Sequence, residues 1–151
     1  MAKTALVVAS ALLVGCGRPT STTTVAPTLL PPAGAFQCVM NTMKTLGFQR
    51  TMYDQDELRT SGRKENPKIT FSNTQFRKTW DRLDVKVQAA DSGSAMDVTA
   101  VTEAEYFSQN GKNLEPLKPS AEVRQAAEQL QTRCEHLQPA TKDSVPTVTA
   151  Q

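Results

Sequence analysis

Residues 83 to 101 carry the pattern that most restricts the fold. Leu83, Val85 and Val87 alternate with Asp84, Lys86 and Gln88. Met96, Val98 and Ala100 alternate with Asp97, Thr99 and Val101. A period of two marks a strand with one buried and one wet face. Asp91-Ser92-Gly93-Ser94 lies between the two runs and suits a hairpin turn. The pair is therefore expected to be antiparallel, with Leu83, Val85, Val87, Met96, Val98 and Ala100 on the shared buried face. A lone hairpin is unstable in water, so other elements must cover that face.

Two helical patterns supply the cover. Phe36, Val39, Met40, Met43 and Leu46 recur at offsets of three and four, and Gly47 stands where a left-handed cap would end the helix. After Pro119, Ser120 suits an N-cap and Glu122 the first turn, and Val123, Ala126, Ala127, Leu130, Cys134 and Leu137 form one stripe. Phe48 to Tyr53 alternates as a strand, followed by the acidic turn Asp54 to Glu57. Leu58–Lys64 and Lys68–Ser72 are weaker strand candidates on either side of Asn66-Pro67, and the strand through Val98 can continue to Phe107, before the Asn110-Gly111 turn. The expected fold is α+β, an antiparallel sheet of about four strands with the N- and C-terminal helices packed on one face.

The ends of the chain differ from this body. All eight aromatic residues lie between Phe36 and Phe107. Gly17 to Gly34 holds four prolines and the run Thr20 to Thr24, a composition that buries too little apolar surface to offset its ordering entropy. Residues 16–34 are read as a flexible linker with a stretched limit of roughly 55 Å. Residues 138–151 are similar and read as a disordered tail, which leaves 35–137 as the compact domain.

The first sixteen residues carry an address. Lys3 gives a basic start, and Thr4 to Val14 is free of charge for eleven residues. That is too short to span a bilayer, which takes roughly 20 apolar residues, but it suits the apolar core of a secretory signal. Leu13-Val14-Gly15-Cys16 follows, then a polar stretch. This sequence resembles the lipobox of bacterial lipoproteins, and the body has the general look of small members of that group. The resemblance covers residues 1 to about 20. It implies that residues 1–15 are a signal peptide, cut before Cys16, and that Cys16 is acylated. It also implies a cell-envelope location with the membrane as partner through the lipid anchor. Gly17 stands where Asp favours inner-membrane retention in the enteric version of the family. Its presence points to the outer membrane, facing the periplasm, if the source has two membranes.

With Cys16 assigned to lipid, Cys38 and Cys134 remain. An even pair in an exported domain reads as a disulfide joining the two helices, with two free thiols as the alternative. Cys134 lies on its helix's apolar stripe. Cys38 falls away from the centre of its own, so either that helix starts later or the bond clips its edge.

Little in the sequence points to catalysis. Lys+Arg number 17 against 15 Asp+Glu, which disfavours a dedicated nucleic-acid binder. The single histidine, His136, is two residues from Cys134, and residues so spaced on a helix point apart. Asp54, Asp56 and Glu57 lack the glycine and distal glutamate of an EF-hand, and Glu103 with Glu105 reads as solvated surface charge near a sheet edge. No phosphate-loop, dinucleotide or nucleophile-elbow motif occurs, so no catalytic residue, metal or cofactor is expected. One cluster stands out. Residues 59 to 86 carry eight Lys/Arg against Glu65, Asp81 and Asp84, with Phe71, Phe76 and Trp80 among them. Arg63, Lys64, Arg77 and Lys78 are the candidate contacts for an anionic lipid, an envelope glycan or an acidic partner. The expectation is a non-catalytic, membrane-anchored interaction module, with anionic-ligand binding through this segment as the alternative.

Overall fold

The computed structural model describes residues 20–137. The signal segment 1–15, Cys16 and the tail 138–151 lie outside the described residues. Among those described, six strands and two helices occur in the order β1 (Ser21–Thr28), α1 (Pro32–Thr45), β2 (Gln49–Asp54), β3 (Arg59–Glu65), β4 (Phe76–Ala90), β5 (Gly93–Ser108), β6 (Gly111–Leu117) and α2 (Ala121–Glu135). The α+β class holds, but the sheet has six strands where about four were expected. All pairings are antiparallel, in the order β1-β5-β4-β3-β2. β6 pairs with the far half of β5, so β1 and β6 lie end to end along one edge.

The central hairpin is longer than its alternating core suggests. β4 and β5 pair from Phe76↔Tyr106 to Ala90↔Gly93. Leu83, Val85, Val87, Met96, Val98 and Ala100 are all buried beneath the helices. Gly93 closes the turn at φ +122, and a Cβ there would collide with the Thr28 carbonyl. The turn is thereby packed against the β1–α1 connection. Gly62 on β3 allows another close approach, since a Cβ would lie 2.7 Å from Met43 Cε and 3.2 Å from Phe48 Cβ.

β1 is the largest departure from the sequence reading. Ser21–Thr28 falls in the expected flexible linker, yet it pairs residue for residue with Val101 to Ser94 of β5. Among the described residues the folded body therefore includes Ser21–Thr28, ahead of the expected start at Ala35. The physical reason is local. Thr22, Thr23, Thr24 and Val25 are β-branched and suit a pleated edge, while Pro27, without an N–H, is tolerated on an edge strand. Ala26, Thr28 and Leu30 are buried, and Thr28 Oγ1 donates to the Cys134 carbonyl at 2.8 Å. Lys68–Ser72, by contrast, forms no strand and belongs to the loop between β3 and β4.

α1 begins at Pro32, where proline is favoured in a first turn. Its buried arc comprises Ala35, Phe36, Cys38, Val39, Thr42 and Met43, wider than a single stripe. The helix faces both the sheet and α2, so Cys38 lies on the α2-facing flank. Cys38 and Cys134 are bonded, with Cα atoms 5.8 Å apart.

Candidate functional site

A polar cluster fixes the start of α2. Asp81 occupies an inward position of β4, two residues before Leu83, and is only 4% exposed. Thr102 Oγ1 donates to its Oδ1 at 2.6 Å, and Asn66 Nδ2 donates to its Oδ2 at 2.8 Å. Ser120 Oγ lies 2.9 Å from both carboxylate oxygens and accepts from Val123 N at 3.0 Å. Ser120 N in turn donates to Thr102 Oγ1 at 2.9 Å. The expected N-cap is thus also a clamp that ties the helix to two central strands. A cleft of about 360 Å³ opens above this cluster, with Phe48, Lys64 and Gln129 among its lining residues. Lys68 and Glu122 also line it and pair at 2.7 Å. That contact raises the Lys68 pKa and lowers that of Glu122, chiefly through their shared hydrogen bond. A second groove, of about 440 Å³, lies beside α1, with Met40, Phe48, Arg50 and Thr60 among its lining residues.

The opposite, helix-free face of the sheet carries a charge lattice. Arg63 stacks over Trp80 at 4.3 Å from the ring centre, and Lys78 Nζ lies 4.9 Å from the same ring. Trp80 Nε1 donates to Glu105 Oε2 at 2.6 Å, and Lys112 Nζ lies 2.8 Å from that oxygen. Glu105 is 7% exposed, which corrects the reading of it as solvated charge. β6 covers what would otherwise be the edge beside it. Burial pushes the Glu105 carboxyl up, but the hydrogen bonds from Lys112 and Trp80, with the charges of Lys112 and Lys78, outweigh it and hold the pKa below the ordinary value. Arg82 bonds Glu103 at 3.0 and 3.2 Å and Asp84 at 3.2 Å.

These placements divide the expected basic set. Arg63 and Lys78 meet on the open face around Trp80, and Lys78 also pairs with Glu65 at 3.2 Å. Lys64, one residue from Arg63, projects to the helix side by strand alternation and donates to the Leu46 carbonyl at 3.0 Å. Arg77 sits at a bulge of β4, donates to the Thr74 carbonyl and lies 5.9 Å from the Phe107 ring. The four residues do not form one basic surface. The run is cationic in sequence, but four of its eight cations are paired among the described residues: Lys68 with Glu122 of α2, Lys78 with Glu65, Arg82 with Asp84 and with Glu103 of β5, and Lys86 with Glu57 of the β2–β3 turn.

The remaining candidates are structural. Cys134 is bonded to Cys38, and His136 caps the end of α2. Asp54 accepts from the backbone N–H groups of Asp56 and Glu57 at 3.0 Å, closing the β2–β3 turn. Among the described residues no three His, Cys, Asp or Glu side chains are placed to hold a metal, and no helix is long and apolar enough to cross a membrane. Sequence reasoning missed the Asp81 cluster. Its one signal was a charged residue in the inward register of the β4 alternation.

No family model matches the chain, and no curated protein matches it. Among solved structures, the chain is similar to the crystal structure of Ara h 8.0201, at 14% identity and a TM-score of 0.45, over 76% of this chain and 94% of that one. It is also similar to a DUF4468 family protein from Bacteroides ovatus, at 10% identity and a TM-score of 0.45, over 80% of this chain and 88% of that one.

Proposed function

We propose that this chain is a lipid-anchored, non-catalytic interaction module of the cell envelope, held by acylation of Cys16. The observation that carries the reading is Leu13-Val14-Gly15-Cys16 directly after an uncharged apolar run. The Cys38–Cys134 bond supports export to an oxidising compartment. The buried polar groups support a scaffold role, because Thr102, Asn66 and Ser120 all donate to Asp81, and the Ser120 bonds to Asp81 and Thr102 hold α2 on the sheet. Partners on this reading are the membrane and another envelope protein. The paired state of Lys78, Arg82 and Lys68 leaves anionic-ligand binding through residues 59–86 as the weaker alternative.

Intact mass spectrometry of the protein from a bacterial envelope fraction tests this directly. The expected species starts at Cys16 and carries two or three acyl chains. Full-length, unmodified protein in the cytosol overturns the anchor and the location together.

A further inference from the structure

We propose that the β1/β6 edge of the sheet lies against the bilayer that holds the lipid of Cys16. The inference rests on acylation of Cys16 and adds the surface that faces the membrane. Four residues, Gly17 to Thr20, separate Cys16 from Ser21. Five peptide steps span at most about 18 Å. The far edge strand, β2, is four strand spacings from β1, roughly 19 Å across the sheet. The anchored domain therefore cannot stand off at the distance that a linker to Gly34 would permit.

The tether also enters at an informative place. Ser21 is opposite Val101 and Leu117 is opposite Thr102, so the chain joins the sheet where β1 and β6 meet. Val25 lies opposite Asp97 and Leu114 opposite Glu105. Each is four residues of β5 from Val101, roughly 13 Å along the edge in opposite directions. Both project on the helix-free side and are well exposed, Val25 at 65% and Leu114 at 45%. Phe107, 52% exposed, is beside them on β5. Of the seven large hydrophobic side chains exposed among the described residues, Val25, Leu29, Phe107 and Leu114 lie on or next to this edge. The charges along the edge are mixed: Lys112 pairs with Glu105, Arg77 lies near Phe107, and Asp97 is opposite Val25. The exposed apolar side chains, and not a cationic border, are what suit the headgroup–acyl boundary of the leaflet.

The test uses the full lipidated protein in phosphatidylethanolamine/phosphatidylglycerol vesicles with brominated acyl chains. Val25→Trp, Leu114→Trp and Tyr53→Trp are each read against the Trp80 emission of the unsubstituted protein. Emission from positions 25 and 114 is expected to fall about twofold on brominated lipid, with position 53, on β2, unchanged. Hydrogen exchange on the unsubstituted protein provides a second reading, with slower exchange over 21–29 and 107–117 on vesicles. Protein that floats with the vesicles and is acylated, yet shows neither change or shows quenching equal at all three positions, overturns the edge orientation alone. Protein with unmodified Cys16 that does not float overturns the anchor, and the orientation with it.

Discussion

Replacing Asp81 with alanine should loosen α2 more than it disturbs the sheet. The carboxylate accepts from Thr102, Asn66 and Ser120 at 2.6 to 2.9 Å and is almost wholly buried. A hydrogen bond to a charged group contributes about 1.5–3 kcal/mol, and three donors lose their acceptor together. Water entering the vacated space and removal of a buried charge return part of that. A net loss of about 3 kcal/mol follows, or a fall in melting temperature of roughly 10–15 °C for a domain of this size. Asp81→Asn keeps the volume and one acceptor oxygen, so about half that loss is expected. Urea unfolding with the disulfide intact, followed by Trp80 emission, gives the magnitudes. A double-mutant cycle with Ser120→Ala should show coupling of about 1–2 kcal/mol, because the two side chains are in direct contact. Amide exchange at Val123 and Arg124 should speed up before that of β4. A loss below about 1 kcal/mol, with no coupling to Ser120, would refute the claim that this cluster holds the helix.

Other perturbations test separate parts of the reasoning. Removing the Cys38–Cys134 bond, which closes a separation of 96 residues, should lower stability by about 4–5 kcal/mol on the loop-entropy model; a Cys38→Ala/Cys134→Ala protein unfolding at the same urea midpoint would count against it. Glu105 has a folded-state pKa below its unfolded one, so its contribution is present above the unfolded value and is lost as pH falls through the folded one. Lys112→Met should move the onset of acid unfolding to higher pH and lower neutral-pH stability by about 0.5–1 kcal/mol, discounted because the lysine is partly exposed; superimposable pH–stability curves would contradict this. A chain starting at Ala35 should lose at least about 3 kcal/mol relative to one starting at Thr20, from the burial of Ala26, Thr28 and Leu30 alone. It should also self-associate through the uncovered edge of β5, and equal midpoints with a monomeric profile on size exclusion would show that β1 adds nothing.

The parts of the fold legible in the sequence are those with a strong period and deep burial. The alternation through Leu83–Val87 and Met96–Ala100 is matched by complete burial of those side chains. The Ser120 cap forms, with Val123 N donating to its hydroxyl. The cysteine pair is joined as compartment logic suggests, and the awkward position of Cys38 resolves once α1 is seen to pack on two neighbours. The edge strands were not legible for a reason of the same kind. β2 is mostly exposed and β6 is nearly so, so neither needs an apolar alternation, and β1 buries only two of its eight residues. What specifies β1 is the partner β5 offers, together with β-branched threonines that composition alone assigns to a linker.

The placement of β1 bears on function because the same segment joins the proposed anchor to the fold. Treated as linker, residues 16–34 would let the domain range far from its membrane, and a charged segment anywhere on it could serve as the contact. With β1 in the sheet, only four residues, Gly17 to Thr20, separate Cys16 from the first strand residue, and the chain joins the sheet at one point on one edge. β1 is tied to β5 over eight residue pairs, and Thr28 bonds the Cys134 carbonyl of α2. The disulfide then ties α2 to α1. A pull on an acylated Cys16 would therefore be passed to both helices through the edge strand. Of the eight cations of residues 59–86, meanwhile, Lys68, Arg82 and Lys86 pair with carboxylates from outside the run, on α2, β5 and the β2–β3 turn, and Lys78 pairs with Glu65 within it. Local charge counting could not see Glu103 and Glu122, because they are distant in sequence and are supplied only by the fold. On the proposed anchoring, the contact surface moves from the basic run to the edge where Val25 and Leu114 lie on either side of the tether's entry.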